Sequence, residues 1–173
     1  MILKRSILSV AFMLSGLLYS QANVTFTLPL VTLMDVEPAG SISLIFTAPT
    51  EAGNALGNPT PNMTKWINYS SAIASGGLSR RITASVSQLI PGVNIRIQAA
   101  AASGAGGGTL GTSAGQITLT TTPTTIISGI GGAYTGNGAN NGHRLTISLV
   151  PGTYASLSAQ ANTTVSIVYT ITE

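Results

Sequence analysis

The chain has 173 residues, of which only 6% are charged, against about 25% in an ordinary soluble domain. It carries seven basic and four acidic residues, but Lys4 and Arg5 lie in a segment that we expect to be removed, which leaves five basic residues. This balance excludes a strongly basic nucleic-acid-binding protein, and the absence of cysteine from the sequence excludes a thiol nucleophile and disulfide bonds.

The N-terminus has the organisation of a secretory signal peptide. An uncharged apolar run at residues 6–19 follows the two basic residues. This run is shorter than the roughly 20 apolar residues of a membrane-spanning helix. Small residues at Ser20 and Ala22 predict cleavage after residue 22, with cleavage after Ser20 as the alternative. The mature protein, residues 23–173, is therefore expected to be secreted, to have no membrane span and to form one domain.

Alternation of apolar and polar residues recurs along the chain and predicts a series of short β-strands. The clearest case lies at the C-terminal end, where Val165, Ile167, Tyr169 and Ile171 share one face. No stretch has a helical face longer than a turn or two, so we expect an all-β fold, a single antiparallel Ig-like β-sandwich. Strands are predicted at residues 24–33, 41–47, 65–71, 79–87, 93–99, 116–121, 125–130, 143–150 and 163–172.

Several stretches between these segments are predicted to be turns or loops. Residues 35–40 contain Pro38 and are expected to turn, while residues 48–62 and 131–142 are rich in Gly, Pro or Asn and lack periodicity. Residues 106–111 match the G-x-G-x-x-G pattern. A phosphate site would need a helix after this pattern, and none is predicted, so these residues are also expected to form a loop.

Ionisable groups are sparse after the predicted signal peptide. His143 is the only possible base for a serine triad, with Asp35 or Glu37 to orient it, but it begins a predicted strand and is expected at the surface. Asp35 and Glu37 are also the best candidates for a glycosidase pair, with Glu51 as the only distant acid, or for a Ca²⁺ site completed by backbone carbonyls. Solvated turn residues are the simpler interpretation. The sequence therefore predicts no catalytic residue, no metal site and no cofactor.

Four aromatic residues suggest a second type of function. Trp66, Tyr69, Tyr134 and Tyr154 could form a platform on which sugars stack, although we expect at least two of them in the core. The alternation around Trp66 does not decide whether Trp66 or the pair Ile67 and Tyr69 faces inward. A secreted carbohydrate-binding or adhesive module is therefore kept as the alternative function.

The signal peptide, the alternating segment that follows it and the alternating C-terminal strand together resemble a known group of exported proteins. The resemblance is to chaperone–usher-type pilins and related spore-coat-U-like secreted β-sandwich proteins, and it covers residues 23–173 in architecture. It implies that the N-terminal segment of one subunit fills a groove in its neighbour by strand addition. It also implies that the C-terminal strand is the segment that an export chaperone grips.

Specific residues match the strand-addition pattern. Residues 23–33 would be the donor segment, and its alternating anchors would be Val24, Phe26, Leu28 and Leu30. The acceptor or chaperone-contact strand would present Val165, Ile167, Tyr169 and Ile171. Pro29 suits an edge strand of the parent domain equally well, so the sequence leaves open whether the segment is exchanged or stays in its own domain.

The low charge and the Thr, Ser and Asn surface favour packing against copies of the same chain. Together with export and sparse ionisable chemistry, they predict a non-enzymatic structural subunit of an extracellular fibre, pilus or surface coat. The expected partners are copies of the chain itself, with an export chaperone or a surface glycan as further partners. A hydrolase is the least favoured class.

Overall fold

The computed structural model describes residues 23–173, so the predicted signal peptide at residues 1–22 lies outside the described residues. The described part contains nine strands and one short 3₁₀ turn at Tyr154–Ser156, with no α-helix among residues 23–173. The predicted all-β fold is confirmed. In chain order the strands are β1 (Val31–Glu37), β2 (Asn62–Ala72), β3 (Arg80–Val86), β4 (Val93–Ser103), β5 (Gly107–Ser113), β6 (Gln116–Thr118), β7 (Thr124–Tyr134), β8 (Gly142–Pro151) and β9 (Ile167–Thr172).

All of these strands pair in the antiparallel sense and form one connected network. The main path runs β6-β4-β8-β2-β7-β3-β9, with β1 paired to β2 and β5 paired to β7. Strand β2 divides this path into two branches. Its first residues pair with β8, whereas Ser70 and Ser71 near its end pair with the end of β7. One branch therefore holds β6, β4, β8, β2 and β1, and the other holds β5, β7, β3 and β9.

Both branches contribute to one hydrophobic core. Branched aliphatic residues dominate it, as expected for side chains packed on pleated sheets, and each fully buried one contributes about 1.5–3 kcal/mol. A core shared between the two branches is consistent with the predicted sandwich, in which two sheet faces pack together. The largest apolar side chains that are fully buried are Ile67, Ile82, Ile97, Ile126, Ile127, Ile130 and Leu145.

Two predicted strands are largely wrong, because alternation alone does not provide a backbone partner. Residues 23–30 form no strand, and β1 begins only at Val31. Residues 41–47 make only the single bridge between Thr47 and Gly57. The alternation of this second segment is still real, because Ile42, Leu44 and Phe46 are half-buried between exposed neighbours. Both segments have the side-chain pattern of a strand but no ladder of backbone hydrogen bonds to a partner strand.

One predicted loop is a strand. The Gly-rich stretch at residues 106–111 lies mostly in β5, which pairs with β7. Gly111 has a φ of +78°, and a Cβ there would lie 2.7 Å from the Ser128 carbonyl oxygen of β7. The register of this pair shifts between Gly108 and Leu110. Glycine is therefore required for a close, irregular strand pairing and not for a phosphate loop. Residues 131–134, also predicted as loop, complete β7.

Candidate functional site

A groove of about 820 Å³ lies between the residues that end and follow β1 and the residues that lead into β9. No β3 residue lines it. Three of the four predicted acceptor residues, Val165, Ile167 and Tyr169, line the groove. Ile171 is half-buried farther along β9 and is not part of the lining. The remaining apolar lining comes from Val36, Pro38, Ala39, Ile42, Leu44, Ile90, Ile95, Ile147 and Leu149.

On both sides of this groove lies backbone that has no partner on at least one edge. Strand β9 pairs with β3, and no other strand of residues 23–173 pairs with it. On the opposite side, residues 42–46 make no backbone hydrogen bond within the described part of the chain. Buried or half-buried backbone groups normally have partners. The groove therefore has the form of a position from which a strand is missing.

The residues that precede β1 carry an apolar surface that their own domain does not cover. The four predicted anchors, which alternate along residues 23–30, are largely exposed: Val24 by 84%, Phe26 by 85%, Leu28 by 77% and Leu30 by 67%. Contiguous exposed apolar surface of this kind is a common mark of an interaction site. These residues are not part of the hydrophobic core that residues 31–173 form. Only the last part of the predicted donor segment, residues 31–33, lies in a strand of its own domain.

A buried arginine fixes the point at which these residues leave the domain. Arg80 in β3 is only 4% exposed, and its guanidinium donates hydrogen bonds to the Val31 carbonyl oxygen and, over 2.9 Å, to the Ser71 hydroxyl. It also lies 3.8 Å from a carboxylate oxygen of Glu173. Arg81 is exposed, as expected for neighbours that face opposite sides of a strand. Since hydrogen bonds from a charged donor contribute about 1.5–3 kcal/mol, Arg80 holds the start of β1 firmly.

A buried lysine fixes the other end of β1. Lys65 in β2 is 7% exposed, and its ammonium donates hydrogen bonds to the carbonyl oxygens of Pro38 and, over 2.7 Å, Gly40. These two residues lead into residues 41–47 along the groove. Lys65 therefore positions one wall of the groove as well as the end of β1.

His143 is not at the surface, which corrects the sequence-based expectation. It is fully buried, and its Nδ1 donates a hydrogen bond of 2.8 Å to the Ala100 carbonyl oxygen. Its Nε2 lies 3.1 Å from both the Tyr69 hydroxyl and the Leu110 carbonyl oxygen. The ring stacks on Tyr69 with centroids 5.9 Å apart. His143 thus joins four strands, β8, β4, β5 and β2, in the interior.

In the described part of the chain, His143 is not paired with an acidic side chain. Within residues 23–173, no carboxylate lies within ion-pair distance of His143, and no group of three or more His, Asp and Glu residues is placed to hold a metal ion. Asp35 and Glu37 lie in β1, not in a turn, where they pair with Asn68 and Trp66 of β2. The triad considered from the sequence is therefore not assembled.

The four aromatic residues do not form one platform. Ile67 and Tyr69 face the core, which decides the orientation of β2, and Trp66 is half-buried on the other side of the strand. Tyr154 is exposed, and its hydroxyl accepts a hydrogen bond of 2.6 Å from the Leu56 amide. Tyr134, at the end of β7, is 58% exposed. Any sugar site must therefore depend on fewer of them.

Two tyrosines make stability sensitive to alkaline pH. Burial raises the pKa of the hydroxyls of Tyr69 and Tyr169 above the ordinary value of about 10. The unfolded chain ionises near pH 10 while the folded chain retains these protons, so the stabilisation is complete below pH 10 and is lost as pH rises. We expect the free energy of unfolding to fall above about pH 10, by roughly 1.4 kcal/mol per pH unit for each tyrosine.

Urea unfolding at pH values from about 8 to about 12 measures this dependence. Tyr169→Phe is expected to reduce the slope above pH 10 by about half. Tyr134→Phe, which removes an exposed hydroxyl, is the control and should leave the slope unchanged. A stability that stays constant over this range in the unmodified protein would contradict the expectation.

Comparison with known proteins identified no similar protein. Searches against protein-family models, curated proteins and solved structures found no match. In the described part of the chain, no helix has the length and apolar character needed to cross a membrane. The features that bear on function are therefore the groove, its unpaired edges and the uncovered segment before β1.

Proposed function

We propose that the protein is a secreted, non-enzymatic structural subunit of an extracellular fibre or surface coat, and that residues 23–30 of one copy fill the groove of the next. A single observation carries this proposal. The same chain exposes an alternating apolar segment and has an apolar groove that lacks a strand. A donor strand would complete an Ig-like sandwich by pairing with the free edge of β9 and with residues 42–46.

The free energy gained by burying the four anchors is comparable to the free-energy cost of association. Each of the four anchors contributes about 1.5–3 kcal/mol on burial, or roughly 6–12 kcal/mol together. Association of two proteins costs about 4–15 kcal/mol in lost freedom. Apolar burial alone is therefore close to the cost, and backbone hydrogen bonds to two strand edges, at about 0.5–1.5 kcal/mol each, supply the excess. Stable assembly requires both contributions.

The geometry favours exchange between copies over filling of the chain's own groove. Residues 23–30 leave the domain at Val31, whereas the groove begins at Val36, near the other end of β1. At about 3.4 Å per residue, these two points are on the order of 17 Å apart. The segment would have to reverse direction and use most of its own length before it reached the groove. A neighbouring copy presents its groove without this restriction.

Electron microscopy tests the proposal. Protein sheared from the cell surface is expected to form filaments or a continuous layer built from repeating subunits. A secreted carbohydrate-binding module, the alternative, would instead give monodisperse monomers. Such monomers over a wide range of concentration would rule out the structural role.

A further inference from the structure

A second cavity lies beside β1 and β2, apart from the groove. It has a volume of about 440 Å³, within the usual range of small-molecule sites, and shares no lining residue with the groove. Strands β1 and β2, the end of β7 and the loop after it enclose the cavity. Its polar and apolar lining includes Leu33, Asp35, Asn68, Ser70, Tyr134 and Asn137.

One buried acceptor at this cavity has no donor. Asn68 is only 5% exposed, and its amide nitrogen donates a hydrogen bond of 2.7 Å to the Asn141 carbonyl oxygen. This contact fixes which end of the amide is the oxygen. Within residues 23–173, the oxygen, Oδ1, has no hydrogen-bond partner. A buried acceptor without a partner is costly and rare, and either a water molecule or a ligand hydroxyl is the kind of donor that would satisfy it.

A carboxylate lies next to this amide. Asp35 is directly opposite Asn68 in the β1–β2 register, and one of its oxygens accepts a hydrogen bond of 2.7 Å from the Val36 amide. In the part of the chain that the structure describes, no basic side chain forms an ion pair with Asp35. The hydroxyl of Ser70 also lines the cavity. This set of groups suits a ligand with several hydroxyl donors and disfavours an acidic ligand.

An aromatic ring supplies the apolar side of the cavity. The ring of Tyr134 lies against Gly107, since a Cβ at Gly107 would be 3.2 Å from its Cε1 atom. The tyrosine is nevertheless 58% exposed, and Leu33 across the cavity is 66% exposed. An aromatic ring beside polar acceptors is the combination that binds the apolar face and the hydroxyls of a sugar. Ca²⁺ makes no use of the ring and prefers six to eight oxygen ligands, whereas Asp35 is the only carboxylate that lines this cavity.

We propose that this cavity binds one neutral or amino sugar unit. Hydroxyl groups of the sugar donate hydrogen bonds to Asn68 Oδ1 and to the Asp35 carboxylate, and its ring lies against Tyr134. The site does not depend on subunit assembly, since its residues lie outside both the groove and residues 23–30.

Saturation-transfer NMR and calorimetry with the purified protein test this assignment. The probes are the methyl glycosides of glucose, galactose, mannose and N-acetylglucosamine, with glucuronate as the acidic member. At least one neutral or amino sugar is expected to bind, and Asp35→Asn and Tyr134→Ala should each weaken binding by about tenfold or more. Glu51→Gln removes an exposed acid that lines neither cavity and is the matched control, with unchanged binding expected.

Three results would overturn the assignment: no probe binds, glucuronate binds best, or binding is the same in both variants and the control. Ca²⁺ binding without sugar that is lost in Asp35→Asn would also overturn it, in favour of a cation site. Phe26→Asp separates this site from assembly, because it should leave sugar binding intact even where it prevents filament formation.

Discussion

Phe26→Asp and Leu28→Asp should each abolish assembly and leave the domain folded. Each change removes an apolar anchor that contributes about 1.5–3 kcal/mol on burial and adds a carboxylate whose desolvation costs more. We therefore expect the equilibrium constant for assembly to fall by at least about a hundredfold. Because Phe26 and Leu28 are 85% and 77% exposed in the single chain, Tm of the isolated domain should not change.

Sedimentation and electron microscopy measure the assembly, and thermal unfolding measures the domain. Thr25→Asp and Thr27→Asp are the matched controls, since they place the same charge on the opposite side of the same segment. Assembly should survive in both. If Phe26→Asp instead lowers Tm of the monomer, the segment belongs to its own core and the exchange model is wrong.

Gly142→Ala should have the largest effect on folding. Gly142 begins β8 with a φ of +77°, a conformation that costs an L-residue about 1–2 kcal/mol. A Cβ at this position would also overlap the Ile67 carbonyl oxygen of β2, so the backbone must shift at a further cost of about 1–3 kcal/mol. The total, about 2–5 kcal/mol, is a large share of the 5–15 kcal/mol that stabilises a typical domain.

Gly138→Ala separates these two contributions. Gly138 lies in the loop before β8 with a φ of +83°, but a Cβ there meets no atom within 4 Å. Chemical denaturation should therefore show a loss of only about 1–2 kcal/mol for Gly138→Ala. Equal losses in the two variants would mean that the contact with Ile67 is unimportant.

Alternation along the sequence predicts side-chain orientation better than it predicts strand pairing. It identifies most strands of the core, because their partners lie in other segments with the same pattern. It fails at residues 24–30 and 41–47, which alternate equally well but have no ladder partner among residues 23–173. Whether a second backbone lies beside a segment is a long-range property, and no local pattern contains it.

The burial of His143 could have been predicted from the sequence. His143 has the same parity as Leu145 and Ile147, whose side chains face the core, so the alternation of this strand already directs it inward. The polar character of the residue and the Gly-rich stretch before it suggested the surface instead. The polar groups of Ala100, Leu110 and Tyr69 that surround the ring and make its burial possible lie on three other strands, and these could not be foreseen.

No local sequence pattern predicts either cavity. The groove brings residues 36–44 together with residues 162–169 from the other end of the chain. The second cavity depends on the register that sets Asp35 opposite Asn68, and a shift of one residue would move both to other partners. Sequence reasoning identified the anchors of the proposed donor segment and three groove residues, but the site itself is a product of the topology.

The anchoring of β1 determines how a fibre of such subunits would respond to pulling. Tension on the linking segment enters each subunit at Val31 and runs along the length of β1. Seven residue pairs join β1 to β2, and the pull is parallel to both strands, so these pairs are loaded together in shear and do not open one at a time. Arg80 belongs to β3 and donates a hydrogen bond to the Val31 carbonyl oxygen, so β3 also carries part of the force at Val31. Pairing along the whole of β1 therefore suits this strand to carry a linker under load.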